Sequence, residues 1–143
     1  MKKEYKELLF KDLSARLPYR VKVYYQQLKL PFILFEVNLK GEVLTLTDNS
    51  QTNYFVQYVE NSKPYLRPLS SMTDEERHEI QEILGKDVEI PDDFIKIIDS
   101  SRKSFSLIEL QAVFDLLNAH YLNFRGLIPK GLALEALDDM YNK

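Results

Sequence analysis

The hydrophobic period of the chain changes at Pro18, and no other feature constrains the fold as strongly. Before Pro18, apolar side chains recur at intervals of three and four residues, which predicts a helix over residues 3–16. The apolar face comprises Tyr5, Leu8, Leu9, Leu13 and Leu17, and the basic residues largely off it are Lys3, Lys6, Lys11 and Arg16. Pro18 ends the helix, because the residue before a proline is driven out of the helical region.

From Tyr19 the period is two, which predicts a strand with one buried side. Its two sides carry Val21, Val23 and Tyr25 against Arg20, Lys22, Tyr24 and Gln26. Further strands are predicted at residues 32–39, 42–47 and 54–60, joined by short polar turns that favour antiparallel neighbours. The first of these is apolar on both faces, as is typical of a central strand. The pattern predicts an α+β fold, with an antiparallel meander of about four strands packed by N-terminal and C-terminal helices in one domain over residues 1–143.

Two capping boxes mark helix starts in the second half of the chain. They are Thr73 with Glu76, in a helix that Gly85 ends, and Ser106 with Glu109. Between them, residues 91–93 open a short helix. The helix after Ser106 carries an apolar stripe that we expect to face the core, namely Leu107, Leu110, Phe114, Leu117 and Tyr121.

Two segments outside these elements also carry structural expectations. The proline-punctuated run KPYLRPLSSM at residues 63–72 is expected to cross the surface in extended form. The chain is expected to break at residues 123–126 and to resume after Ile128-Pro129 as a second apolar helix.

Composition argues against most enzyme classes. The chain has no cysteine, so thiolate metal sites, disulfides and a cysteine nucleophile are excluded. Its four glycines are scattered, so neither a P-loop nor a dinucleotide fingerprint is present. We therefore expect no enzyme activity, no cofactor and no metal. A signal peptide and a membrane span are also not indicated, which predicts a cytoplasmic protein.

The candidate site residues fall into three groups. Exposed side chains of the 63–72 run would form an interaction surface of Tyr65, Leu66, Arg67 and Leu69. A basic and aromatic strand face next to the Lys-rich first helix, with Arg20, Lys22 and Tyr24, could contact nucleic acid. The C-terminal loop offers His120, Phe124 and Arg125. There, a capping or packing role for His120 is favoured over catalysis, and Arg125 is expected to bond carbonyls at the end of the preceding helix.

Charge is unevenly distributed along the chain. Residues 1–30 carry eight Lys or Arg against three acids, and residues 73–100 carry ten acids against three bases. This polarity is typical of solvated helices, and it would also orient a charged partner.

Three segments resemble a known family. They are DLSARLPYRVKV at 12–23, VENSKPYLRPLSSMTDEE at 59–76 and LNAHYLNFRGLIPKGLALEA at 117–136. They are similar to short uncharacterised proteins of gut Bacteroidales bacteria and of their phages and prophage-like elements. Many of those relatives have Gly where this chain has Arg20. The resemblance implies a mobile-element context and a cytoplasmic role, without implying an activity.

Two hypotheses of function follow. The first is a small non-enzymatic interaction module of phage or mobile-element origin that binds a protein partner. The alternative is nucleic-acid binding through the basic strand face and the N-terminal helix, although the overall negative charge of −3 disfavours it.

Overall fold

The computed structural model describes residues 1–85 and 106–141. The chain divides into two compact units, which we call the sheet unit (residues 1–66 and 125–143) and the helical unit (residues 67–124). Helices and one mixed sheet confirm the α+β class. The short helix predicted at residues 91–93 lies outside the described residues.

Helix α1 spans Lys3–Arg16, the bounds that the hydrophobic period predicts. A 3-10 turn over Leu17–Tyr19 follows, with Pro18 in its first positions. The helix buries Leu9 and Leu13. It also buries Arg16 completely, so the prediction that Arg16 lies off the buried face is wrong. A guanidinium is tolerated there because a carboxylate one helical turn away pairs with it.

Within the described residues, the sheet contains six strands in the order β4-β3-β2-β1-β5-β6. Their bounds are Lys22–Tyr25 (β1), Leu30–Asn38 (β2), Val43–Thr47 (β3), Tyr54–Tyr58 (β4), Lys63–Leu66 (β5) and Leu134–Glu135 (β6). Strands β1 to β4 form the predicted antiparallel meander, with β2 in its interior. The predicted count of about four strands is too small, because β5 pairs antiparallel with β1 and β6 pairs parallel with β5.

The side chain of Gln57 ties β4 to the far end of β1. Its Oε1 accepts a hydrogen bond from the backbone N–H of Gln26 at 2.8 Å, and its Nε2 donates to the carbonyl of Tyr24 at 2.9 Å. Nε2 also donates to the hydroxyl of Ser62 at 2.8 Å. The sheet therefore curls around a core that includes Val21, Val23, Leu34, Leu44 and Leu46, all buried.

The segment at residues 63–72 does not cross the surface as predicted. Its first residues are β5, in which Tyr65 and Leu66 are buried. Pro64 lies opposite Val23 of β1. The prolines suggested an exposed segment, but the apolar residues beside Pro64 gain more from burial between two neighbouring strands.

The second C-terminal helix is also a wrong prediction. Gly126 and Gly131 have φ angles of 73° and 72°, in the left-handed region, so turns replace helix between them. The next residues form β6, where Leu134 and Glu135 lie opposite Tyr65 and Leu66. Pairing with the edge of β5 outweighs the helical propensity of the LALEAL run.

The helical unit contains α2, Asp74–Leu84, and α3, Leu107–Ala119. Both predicted capping boxes are present, and Gly85 follows the last residue of α2. The buried core of this unit is Met72, Ile80, Leu84, Val113, Leu117 and Leu122. Leu107 is exposed, contrary to the predicted stripe, because the buried side of α3 follows Val113 and Leu117 instead. No helix in the described part of the chain combines the length and the apolar character needed to cross a bilayer.

Candidate interaction surface

Four large apolar side chains are exposed together on the outer side of the meander. Phe35 of β2 and Tyr54, Val56 and Tyr58 of β4 are 47–63% exposed. We call these four residues the aromatic surface. Their position follows from the strand period, because alternate residues of β4 point outward while Phe55 and Gln57 point inward.

Phe35 joins this surface because β2 is irregular at that point. The register between β2 and β3 shifts between Leu34 and Glu36. Such a bulge re-aims a side chain relative to its neighbours. The ring of Phe35 lies 5.0 Å from the ring of Tyr54, at an interplanar angle of 63°. This edge-to-face contact is the favourable geometry for two aromatic rings.

The aromatic surface has a packed base. On the inner side of β4, the ring of Phe55 lies 5.0 Å from Tyr25 and 4.8 Å from Phe32. Tyr25 and Phe32 are themselves in edge-to-face contact at 5.7 Å. Ring packing below the strand, together with the anchored Gln57, fixes the backbone that carries the exposed side chains.

The interaction surface predicted at residues 65–69 is wrong, because its side chains are buried or engaged in contacts within the protein. Tyr65 and Leu66 belong to the core of the sheet unit. Leu69 packs against the core of the helical unit. Arg67 is occupied by a salt bridge to Glu76. None of these four residues forms the exposed apolar surface that the 63–72 run was expected to present.

Arg67 instead organises a polar network within the helical unit. Its Nη1 and Nη2 donate to Oε2 and Oε1 of Glu76 at 2.7 and 2.8 Å, a bidentate pair. Nη1 also donates to the carbonyl of His120, and Nη2 to that of Ser71, at 3.2 and 2.9 Å. The Nδ1 atom of His120 lies 2.9 Å from Glu76 Oε2. His120 therefore joins the Arg67–Glu76 network at the end of α3.

The electrostatics of Glu76 match this environment. Burial on its own would raise the pKa of the Glu76 carboxyl. Hydrogen bonds from Arg67 and from the backbone N–H of Thr73, with the charges of Arg67 and His120, outweigh burial and lower that pKa to about 2. Glu76 therefore acts as a fixed anion that joins α2 to the end of α3.

Arg125 forms a second ionic cluster, in the sheet unit. Its Nη1 donates to Asp12 Oδ1 at 2.6 Å, and Nε of Arg16 lies 3.0 Å from both oxygens of Asp12. Asp12 and Arg16 are fully buried. Burial lowers the pKa of the Arg16 guanidinium, although the neighbouring carboxylate of Asp12 acts in the opposite direction. Arg125 thus forms a long-range ion pair with Asp12, and its predicted hydrogen bonds to helix-end carbonyls stay a prediction.

The remaining predicted residues have the following surroundings. Phe124 stacks on Phe114 with ring centroids 5.6 Å apart. Arg20 is exposed, with a left-handed φ of 59°. The Nζ atom of Lys22 donates to the carbonyl of Met140 at 3.1 Å, and the Tyr24 side chain is half-buried. The basic strand face is thus partly used by the C-terminal segment of the chain itself.

Within residues 1–85 and 106–141, no group of three His, Asp or Glu side chains is placed to hold a metal ion. His78 pairs with Glu82 at 3.2 Å on the exposed side of α2. Comparison with models of protein families, with curated proteins and with solved structures finds no match to this chain.

Sequence reasoning missed the aromatic surface, although one signal was present. The stretch YFVQY at residues 54–58 contains no charged residue on either face. A strand with one wet side normally alternates apolar and polar residues. Apolar residues on both faces of this stretch therefore pointed to a strand that meets apolar groups on both sides.

Proposed function

We propose that this protein is a small non-enzymatic interaction module that binds a protein partner through the aromatic surface. The observation that carries the proposal is the shared exposure of Phe35, Tyr54, Val56 and Tyr58 on a packed sheet. Clustered exposed apolar side chains mark binding sites more often than single ones do.

The chemistry of the aromatic surface suits a protein ligand. Tyr side chains bury a large apolar area while their hydroxyl groups still reach polar partners, so they are enriched where interfaces are strongest. No side chain of the aromatic surface is charged. Recognition would then depend on apolar contact and on a few hydrogen bonds, as in the centre of a protein interface.

Nucleic-acid binding has less support at this surface. A stacking platform for bases needs cations beside it to pair with phosphates. The residue in line with Val56 on the outer face of β2 is Glu36, an exposed carboxylate. Lys22, which the alternative requires, is in contact with Met140.

The resemblance to proteins of Bacteroidales and their phages suggests where the partner would be found. If the module acts for a phage or another mobile element, its partner is a host or phage protein in the cytoplasm. A Bacteroidales lysate is therefore the appropriate source for a binding experiment.

The test compares three versions of the tagged protein in a nuclease-treated lysate. They are the wild type, the double variant Phe35→Ser with Tyr54→Ser, and the control Leu28→Ser. Leu28 and Tyr54 are both 51% exposed, so the control removes an equally accessible apolar group elsewhere. Circular dichroism first establishes that all three are folded.

We expect the wild type and the control to retain a stoichiometric protein that the double variant loses. Retention of the same protein by the double variant would refute the role of the aromatic surface. Recovery of nucleic acid only, with all partners lost after nuclease treatment, would favour the alternative.

A further inference from the structure

Among the described strands, β4 is the long open edge of the sheet. The strand order places β4 at one end and β6 at the other. Strand β6 contains only Leu134 and Glu135, too few residues to template another strand. Strand β4 has five residues, and in the described part of the chain it pairs on one side only, with β3.

The pairing with β3 determines which backbone groups of β4 face the open side. The N–H of Val59 donates to the carbonyl of Glu42 at 2.9 Å, and the N–H of Asp48 donates to the carbonyl of Asn53 at 3.4 Å. Hydrogen-bonded pairs alternate along an antiparallel ladder. The backbone groups of Phe55 and Gln57 therefore face β3, and those of Tyr54, Val56 and Tyr58 face outward.

The residues of this edge carry none of the usual sequence features that prevent pairing. Natural edge strands are blunted by lysine, proline, inward-pointing charges or bulges. Tyr54–Tyr58 contains no charged residue and no proline, and its register with β3 is continuous. The hydroxyl of Ser62 donates to the carbonyl of Tyr58 at 2.9 Å, but that oxygen retains a second lone pair.

The exposed side chains of β4 follow the same order of residue types in both chain directions. Tyr54, Val56 and Tyr58 give an aromatic, a β-branched and an aromatic residue from either end. A two-fold axis at Val56 would place Tyr54 opposite Tyr58 and would place Thr52 opposite Glu60 beyond the strand ends. No like charges meet, and every outward N–H faces an outward carbonyl.

We propose that β4 pairs antiparallel with β4 of a second copy of this chain, about a two-fold axis at Val56. Self-complementarity of this kind is what an isologous dimer interface requires. The pairing adds backbone hydrogen bonds and cross-strand contacts between tyrosines. It rests on the proposed function, because it joins two copies of the aromatic surface into one continuous binding face.

The absence of cysteine makes a direct test possible. Val56→Cys would place two thiols opposite each other in a hydrogen-bonded pair, about 5.5 Å apart at Cα, within the range that a disulfide spans. Leu39→Cys is the control, because Leu39 and Val56 are both 63% exposed and Leu39 lies outside β4.

Under mild oxidation we expect Val56→Cys to form a covalent dimer at least about tenfold faster than Leu39→Cys, because pairing raises the effective concentration of the thiols. Equal rates for the two variants would mean random collision and would overturn the proposal.

Sedimentation velocity provides the second measurement. We expect the wild type and Val56→Thr to show a concentration-dependent dimer. Val56→Pro should be monomeric yet folded, because proline removes only an N–H that faces the open edge. A wild type that is monomeric at all concentrations, or a folded Val56→Pro variant that still dimerises, would overturn the pairing.

The two proposals fail in different ways. A monomeric wild type that still captures its protein partner through the aromatic surface would refute the pairing alone. A dimer whose Phe35→Ser variant captures the same proteins as the wild type would refute the proposed function alone, since Phe35 lies outside β4.

Discussion

Each unit holds a buried carboxylate between two basic side chains, and the partners of the two carboxylates differ in their access to water. In the sheet unit, Asp12 pairs with Arg16 and Arg125, and both Asp12 and Arg16 are fully buried. In the helical unit, Glu76 is nearly buried, but its partners Arg67 and His120 are 22% and 36% exposed.

This difference shows that similar ionic contacts can have different energetic roles. The attraction within a fully buried pair is largely offset by the cost of removing both ions from water. Removing one partner then leaves an uncompensated charge in the interior. In the helical unit, water can still reach Arg67 and His120, so the loss of Glu76 is partly compensated by hydration.

The substitution with the largest expected effect is Asp12→Ala in the sheet unit. It leaves Arg16 buried without its carboxylate, so we expect the free energy of unfolding to fall by about 3–5 kcal/mol. Chemical denaturation followed by circular dichroism measures this change.

Glu42→Ala is the control for Asp12→Ala, because it breaks a surface salt bridge of 3.0 Å with Lys6. We expect it to cost less than about 1 kcal/mol. Similar losses for Asp12→Ala and Glu42→Ala would show that water hydrates the buried cluster and would remove the contrast between the two units.

Glu76→Gln should have an intermediate effect. The amide keeps the shape of the side chain but loses the bidentate ionic contact with Arg67, so we expect a loss of about 1.5–3 kcal/mol. Glu79→Gln is the matched control, since Glu79 is 50% exposed and lies 3.9 Å from His120. A larger loss for Glu76→Gln than for Asp12→Ala would reverse the expected order of the two clusters.

Acid should weaken the helical unit through Glu76. The pKa of Glu76 falls from 4.5 to about 2 on folding, so the unfolded chain binds this proton more readily. The stabilisation is therefore fully present above pH 4.5 and is lost as the pH falls towards about 2.

The comparison of the wild type with Glu76→Gln isolates this contribution. Hydrogen bonds, the largest of them from Asn53, also lower the pKa of Asp48, but Asp48 is present in both proteins. We expect denaturation midpoints measured at decreasing pH to fall more steeply for the wild type. Parallel curves for the two proteins would contradict the assignment to Glu76.

Arg20→Gly should produce the smallest change, and it should be stabilising. Arg20 has a left-handed backbone, with a φ of 59°, which strains residues that have a Cβ atom. Glycine relieves that strain at some cost in chain entropy, for a net gain of about 0.5–1 kcal/mol.

Thermal unfolding of Arg20→Gly and of the control Glu7→Gly tests this prediction. Glu7 lies in α1, where glycine should cost about 1 kcal/mol. A higher stability of Arg20→Gly, which leaves the ion pairs of the sheet unit unchanged, would show that backbone strain affects stability independently of those ion pairs. A loss for Arg20→Gly would show that its side chain contributes more than its backbone costs.

Features set by neighbouring residues were predicted well from sequence. The bounds of α1 follow from the apolar period and from Pro18, and the starts of α2 and α3 follow from Thr73 and Ser106. The meander followed from alternating runs joined by short polar turns. Each of these signals acts over a few residues, so no knowledge of the distant chain was needed.

Features set by distant contacts were predicted poorly. The sequence predicted a surface segment at residues 63–66 and a helix at residues 134–135. In the structure these two segments are neighbouring strands, and this pairing could not be predicted from either segment alone. Arg16 resembled a solvated helix residue, although Asp12 four positions earlier was visible as a possible partner. Arg125, which completes that cluster, lies 113 residues from Asp12.

The candidate surface shows the same division. Strand β4 was predicted in nearly its observed place, and its lack of charge was visible in the sequence. Its position at the edge of the sheet was not, because strand order depends on where β5 and β6 pair. Tyr65 and Leu66 were predicted to be exposed, but they are buried because β5 pairs with β1 and β6.

The sequence by itself determined the α+β class, the helix starts and the meander, because capping, turn formation and hydrophobic period are local properties. Only the tertiary structure decided which apolar residues are buried, which strand forms the open edge and which charges meet. Those outcomes depend on the free energy gained when groups that are far apart in the chain are buried together. A local sequence pattern does not indicate which distant groups will meet.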